Sequence, residues 1–149
     1  MSRRLFVGSV VVALIAMLAL AQAAAATPPA PISITVDTHF EPGAVDSFAA
    51  TGGVVCSAGS VSTPFTKFVG FRSNTHAQIL VVKHFVCPDG TFDLLLRVKL
   101  DFATGDTVGT WSVLGGTDAY AGLHGSGTLT GDGRETSVLD VYTGKMHID

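Results

Sequence analysis

The sequence has few charged residues, and basic ones are the scarcer kind. Charged side chains make up 14% of the 149 residues, with 9 Lys and Arg against 12 Asp and Glu. Arg3 and Arg4 lie at the extreme N-terminus, and without them 7 basic residues face 12 acidic ones, a net charge of −5. Nucleic-acid binding and polybasic membrane attachment both need a basic surface. The charge balance therefore argues against both.

Motifs for metal binding and for nucleophilic catalysis are also missing. None of the five histidines forms an H-x-H or H-E-x-x-H pattern, and His76 and His84, although in phase, would lie roughly 26 Å apart along a strand. There is no G-x-S-x-G, and the segment 125–131 has its third glycine one place too late for a nucleotide-binding loop. We predict no metal and no cofactor, and identify no catalytic residue. A scattered catalytic triad stays open because triads depend on geometry.

The N-terminus has the three parts of a secretory signal peptide. A basic start with Arg3 and Arg4 precedes an apolar run over 5–20, and Ala21-Gln22-Ala23 is a small-x-small cleavage site. A transmembrane anchor is the alternative, but the run is short for a span of about 20 residues and no basic residue stops it. Ser2-Arg-Arg-Leu-Phe6 also resembles a twin-arginine signal, so either export route is open. We predict a signal peptide over 1–26, cleaved near Ala23–Ala26, and a secreted chain without a stable membrane anchor.

Cys56 and Cys87 are the only cysteines. An even count in an oxidising compartment predicts one disulfide, with two buried free thiols as the alternative. The bridge would close a loop of about 30 residues and stabilise the fold by about 3 kcal/mol if it acts through chain entropy.

After a Pro-rich linker over 27–31, short strands replace any helical pattern. Apolar alternations broken by turn residues predict strands at 32–40, 45–51, 54–61, 65–71, 76–87, 91–102, 107–114, 121–129 and 136–147. Consecutive hairpins favour an antiparallel meander, and about eight strands can close on themselves and so remove exposed edges. The prediction for 32–149 is an all-β fold with a single antiparallel eight-stranded barrel.

Two predicted strands carry candidate interior residues. In 91–102 one face is apolar (Phe92, Leu94, Leu96, Val98, Leu100, Phe102), and the other is mostly charged, as expected for a solvated exterior. The strand 76–87 is apolar on both faces, which is typical of a strand covered on both sides. Lys83 and His84 lie on its opposite faces, so one of them faces the interior or an interface unless it reaches solvent near the strand end. We select Gln78 and His84 as candidate polar contacts for a ligand in the lumen.

Glycine is concentrated in the segment 109–131, which holds 7 of the 17 glycines. Its Gly115-Gly116-Thr117-x-x-Tyr120-x-Gly122-x-x-Gly125 pattern, preceded by Trp111, resembles the signature of allene oxide cyclase and dirigent-like barrels, and the chain looks most like their small secreted bacterial members. The resemblance is specific over these 23 residues and elsewhere is only a similar rhythm of strands. Asp118 stands where relatives commonly have Gly, and Asp tolerates left-handed turns better than most residues.

The resemblance implies a calycin-like eight-stranded barrel that needs no cofactor and often forms homo-oligomers. Plant relatives cyclise an unsaturated epoxide or steer the coupling of phenoxy radicals. The motif residues look structural in that family, and the catalytic residues of the plant enzymes lie outside the matched hairpin. Activity therefore does not transfer by resemblance.

Three functions remain open from the sequence. A binder of a small apolar molecule needs an open lumen, and a cofactor-free cyclase or dirigent-like isomerase needs an ionisable side chain inside it. An extracellular interaction module would instead have a filled lumen and act through its surface. The bulky series from Phe92 to Phe102 favours a filled lumen over an isomerase. We expect a protein that is not a catalyst and that holds a small apolar ligand or acts as an interaction module.

Overall fold

The computed structural model describes residues 27–149, so the predicted leader over 1–26 lies outside the described residues. Eight antiparallel strands form a closed barrel in which each strand pairs with its neighbours in sequence. They are β1 (Ala30–His39), β2 (Val45–Thr51), β3 (Ala58–Ser73), β4 (His76–Cys87), β5 (Gly90–Asp101), β6 (Thr107–Gly116), β7 (Leu123–Gly133) and β8 (Ser137–Ile148). Pairing of β1 with β8 along the whole length of β1 closes the sheet. The predicted antiparallel eight-stranded barrel is confirmed.

Most strand boundaries differ from the prediction by one to four residues, and two differences change the description of the fold. The segments 54–61 and 65–71 do not form separate strands, because 58–73 runs continuously as β3 with a register shift between Ser62 and Phe65. Pro64 falls in this shift, where a residue without an amide hydrogen is tolerated. The first strand begins at Ala30, so the last two residues of the predicted linker belong to β1. Between Thr27 and the C-terminus, no helix has the length and apolar character to span a bilayer.

Aromatic side chains fill one half of the barrel interior. The rings of Phe85 and Phe92 stack with centroids 4.7 Å apart, and Phe48 meets Phe85 edge-on at 5.1 Å. Trp111 is buried, and its indole Nε1 donates to the carbonyl oxygens of Thr128 and Thr143 at 3.0 and 3.2 Å. Aromatic packing of this kind leaves little room for a ligand in that half.

The disulfide lies at this closed end. Cys56 and Cys87 are bonded, with Cα atoms 6.0 Å apart, so the predicted bridge is confirmed. Beside it, the buried Tyr120 hydroxyl accepts a hydrogen bond from the Cys56 amide at 3.1 Å and donates to Asp89 Oδ1 at 2.7 Å. Desolvation raises the pKa of Tyr120, and the bond to Asp89 adds to that shift.

The glycine-rich motif shapes the β6–β7 connection at the same end. A methyl group at Gly116 would lie 2.5 Å from the Tyr120 carbonyl oxygen and 2.8 Å from that of Thr91, so only glycine fits without movement. A short 3₁₀ helix (Asp118–Tyr120) follows, and Asp118 has φ +52°, the left-handed conformation that Asp tolerates. Thr117 Oγ1 accepts from the Thr91 amide at 3.2 Å. Gly122 and Gly125 lie against the C-terminal residues, with Asp149 and Met146 as their nearest neighbours.

The disulfide makes a measurable contribution to stability. Reduction, or Cys56→Ser, should lower the free energy of unfolding by about 3 kcal/mol because the unfolded chain gains the freedom of a 31-residue loop. For a domain of this size we expect a melting temperature about 10 °C lower, measured by circular dichroism with and without reductant. The Cys56→Ser/Cys87→Ser variant is the control and should not respond to reductant. An unchanged melting temperature on reduction of the native chain would contradict the prediction.

Candidate ligand-binding cavity

The other half of the barrel is open and holds a cavity of about 730 Å³. Its wall is apolar, with side chains from β4 (Ile79, Val81) and β5 (Leu96, Val98, Leu100). The connections after β1 and β5 form its mouth, where Phe40, Phe68 and Phe102 are exposed at the rim. Cavities of this size accept small organic ligands.

Polar side chains form the floor of the cavity, where the open half meets the aromatic half. Lys83 is only 2% exposed, although it is one of the residues that line the cavity. Around it lie inward-facing polar residues from four other strands. Thr38 of β1, Thr107 of β6 and Asp140 of β8 line the cavity, whereas Asp46 of β2 and Tyr142 of β8 do not. Side chains alternate between the two faces of a strand, so these residues share the interior with the core residues two positions away.

Hydrogen bonds link the polar side chains of the floor and converge on the carboxylate of Asp140. Lys83 Nζ donates to Thr38 Oγ1 at 2.9 Å, and the Thr38 hydroxyl donates to Asp140 Oδ2 at 2.9 Å. The Tyr142 hydroxyl donates to the same Asp140 oxygen at 3.2 Å, and Thr107 Oγ1 donates to Oδ1 at 3.4 Å. Asp140 therefore accepts from three hydroxyl groups, whereas the amine reaches Asp140 only through Thr38.

Burial shifts the ionisation of these groups towards their neutral forms. Desolvation lowers the pKa of Lys83, against the opposing charges of Asp140 and Asp46. Desolvation also raises the pKa of Asp140, against its hydrogen bond from Thr38 and the charge of Lys83. The pKa of Tyr142 is raised well above its usual value by burial and by the nearby Asp140. An apolar lumen thus favours an uncharged amine and an uncharged carboxylic acid.

A second carboxylate of this polar group, Asp46, has its own partner. Asp46 is buried and accepts a hydrogen bond from His39 Nδ1 at 2.7 Å. That bond is the main reason why the pKa of His39 is raised. Because His39 is exposed at the mouth, its protonated ring can neutralise Asp46 from the solvent side. Asp46 is therefore partnered without using the Lys83 amine.

The structure places the sequence-selected residues Gln78 and His84 on the outer face of β4, away from the cavity. His84 Nδ1 lies 2.6 Å from Asp93 Oδ1 on the neighbouring outer face of β5. A ligand in the lumen would meet Lys83 instead. The sequence placed Lys83 and His84 on opposite faces but did not show which face is inner. Lys83 is an even number of residues from Val81 and Phe85, which face the interior, so Lys83 faces the interior as well.

The bulky series on β5 fills only part of the barrel. Phe92, Leu94 and Leu96 are buried in the core. Beyond them Val98, Leu100 and Phe102 line the open cavity. The expectation that this series would fill the lumen therefore holds for one half of the barrel and is wrong for the other.

Within residues 27–149, no three His, Cys, Asp or Glu side chains come together as a metal site. Comparison of the chain with protein-family models, with curated proteins and with solved structures gave no match. The geometry of the cavity and its floor is therefore the basis for any functional conclusion.

The polar floor should not be a source of stability. Lys83 and Asp140 are buried ionisable groups joined only through Thr38, and replacing such a buried pair by neutral groups of similar size is often neutral or stabilising by about 1–4 kcal/mol. The Lys83→Met/Asp140→Asn variant should accordingly melt at the wild-type temperature or above it, as measured by calorimetry. Each single variant should be less stable than the double, since it leaves the remaining ionisable group buried without the group that shares its proton. A double variant several degrees less stable than wild type would show that the pair stabilises the fold.

Proposed function

We propose that this protein is an exported binding protein that holds a small, mostly apolar molecule in the open half of its barrel. The observation that carries the proposal is the cavity of about 730 Å³ with an apolar wall and a few convergent polar groups on its floor. Sites for small organic molecules have this composition, since burial of apolar surface supplies affinity and a few polar groups set orientation.

The two ends of the barrel differ in a way that supports binding in the open half. The closed end is tied by the disulfide and by the hydrogen bonds of Tyr120, which makes it a rigid base. The open end exposes Phe40 and Phe102 at its rim, where an apolar molecule would first make contact. A preformed cavity on a rigid scaffold reduces the ordering cost of binding.

Export and family are part of the same proposal. A disulfide is compatible with an oxidising compartment, and the leader features of the first 26 residues point the same way. A closed eight-stranded barrel is the fold that resemblance to the allene oxide cyclase and dirigent-like proteins implies. These observations support placing the chain among the small secreted members of that group.

A cofactor-free isomerase is the second candidate, favoured by one specific observation. That function requires an ionisable group inside the lumen, and Lys83 and Asp140 are both there. Recovery of a bound molecule after long incubation distinguishes the two functions. An unchanged molecule supports binding, whereas conversion to an isomer of the same mass supports catalysis.

Filling part of the cavity should weaken binding. Val81 and Val82 are adjacent on β4, but Val81 lines the cavity and Val82 lies on the outer face. Val81→Trp should weaken binding of the neutral dye Nile red by about tenfold or more, because the indole would occupy ligand space and a loss of about 1.4 kcal/mol is already tenfold in affinity. Val82→Trp is the matched control and should bind as the wild type does. Affinities come from the rise in dye fluorescence. Equal affinity in both variants would place the dye elsewhere and contradict the proposal.

A further inference from the structure

The Lys83 amine has N–H donors without a protein partner, and Lys83 lines the cavity. An ammonium group has three N–H donors, and the only protein partner of Nζ among the described residues is Thr38 Oγ1. No carboxylate of the described chain comes within ion-pair distance of it. The side chain is 2% exposed and yet lines the cavity. A buried amine with unbonded N–H donors needs an acceptor, and here the ligand would supply that acceptor.

The acidic groups near Lys83 limit which head group a ligand can place beside the amine. Two acidic groups, Asp140 and Asp46, already lie near Lys83 inside the barrel. A carboxylate ligand would add a third acidic group to this enclosure, and an ammonium ligand would offer Lys83 no acceptor. A neutral head group with an accepting oxygen fits best, and a carbonyl group is the simplest one that suits an otherwise apolar molecule.

We propose that the cavity takes an apolar aldehyde or ketone and that Lys83 Nζ joins its carbonyl carbon as a reversible imine. This inference rests on the proposed binding function, since it assumes that the lumen is the ligand site. The aliphatic part of the ligand would lie along Ile79, Val81 and Val98 towards the rim. The imine would retain the ligand without any cofactor.

The hydrogen-bond chain provides the neutral amine that this step needs. A proton passes from Lys83 to Thr38 as the Thr38 proton passes to Asp140, along bonds of 2.9 Å each. Burial lowers the pKa of Lys83 and raises that of Asp140, which favours this transfer. Desolvated lysines in apolar pockets are the ones that act as nucleophiles towards carbonyl groups.

The step balances without an oxidant or a reductant. The nitrogen lone pair forms the C–N bond, and the C=O π electrons move to oxygen, which takes a proton from Asp140. The nitrogen then loses its two protons, one to the hydroxyl that departs as water and one back to Asp140. The products are the imine and one water, and hydrolysis reverses the step to release the ligand unchanged.

Reductive trapping tests the proposal. The purified, disulfide-bonded protein is incubated at neutral pH with decanal and cyanoborohydride, and the modified lysine is located by peptide mass mapping. We expect a single decyl group on Lys83, formed at least about tenfold faster than on Lys67, Lys99 or Lys145, which are exposed. Lys83→Met should lose this adduct, while Lys99→Met, a change on the outer face of β5, should keep it.

Decanol has no carbonyl group, so it can bind in the cavity but cannot form an imine. Its binding is measured by displacement of Nile red. If decanol binds and Lys83 is trapped by decanal, both the binding function and the imine are supported. If decanol binds but Lys83 reacts no faster than the exposed lysines, the imine is overturned and the binding function survives. If neither decanol nor decanal enters the cavity, the binding function is overturned and the imine with it.

Discussion

The pairing of β1 with β8 determines which side chains the barrel encloses. It runs from Ala30 to His39 and converts eight consecutive hairpin-connected strands into a closed surface. Closure removes the free edges of the sheet and gives every strand an inside and an outside. A polar side chain on the inner face then has no route to bulk water except through one end of the barrel. The behaviour of Lys83 follows from this enclosure rather than from its neighbours in sequence.

Side chains alternate between the two faces in the same way along the whole barrel, but the inner side chains fill one half and leave the other open. Large rings from Phe48, Phe85 and Phe92 fill one half, and the disulfide and Tyr120 secure that end. Branched aliphatic side chains line the other half and leave a cavity. The polar floor lies at the boundary, where Lys83 and Asp140 carry a desolvation cost. Stability is thus concentrated at the closed end, and the open half tolerates groups that stability alone would not select.

The fold could be predicted from the sequence because its signals are local. Alternation along 91–102 and the turn residues between strands each depend on a few neighbouring residues, and the disulfide follows from the presence of only two cysteines in the chain. The merged strand β3 was missed because a bulge at Pro64 looks the same in sequence as the end of a strand. The candidate site was harder, since Thr38, Lys83 and Asp140 lie on three strands and meet only when the barrel closes. Parity with Phe85 could have placed Lys83 inside, but β4 is apolar on both faces and so conceals which face is inner.

The proposed site for an apolar molecule is the open half of the lumen and not the outer surface. Methyl NMR spectra recorded while a neutral apolar molecule such as decanol is added test this most directly. We expect shifts for the methyl groups of Ile79 and Val81, which line the cavity, and none for Leu80 and Val82 on the outer face of the same strand. Shifts confined to Leu80 and Val82 would contradict the proposed site and would place the interaction on the exterior of the barrel.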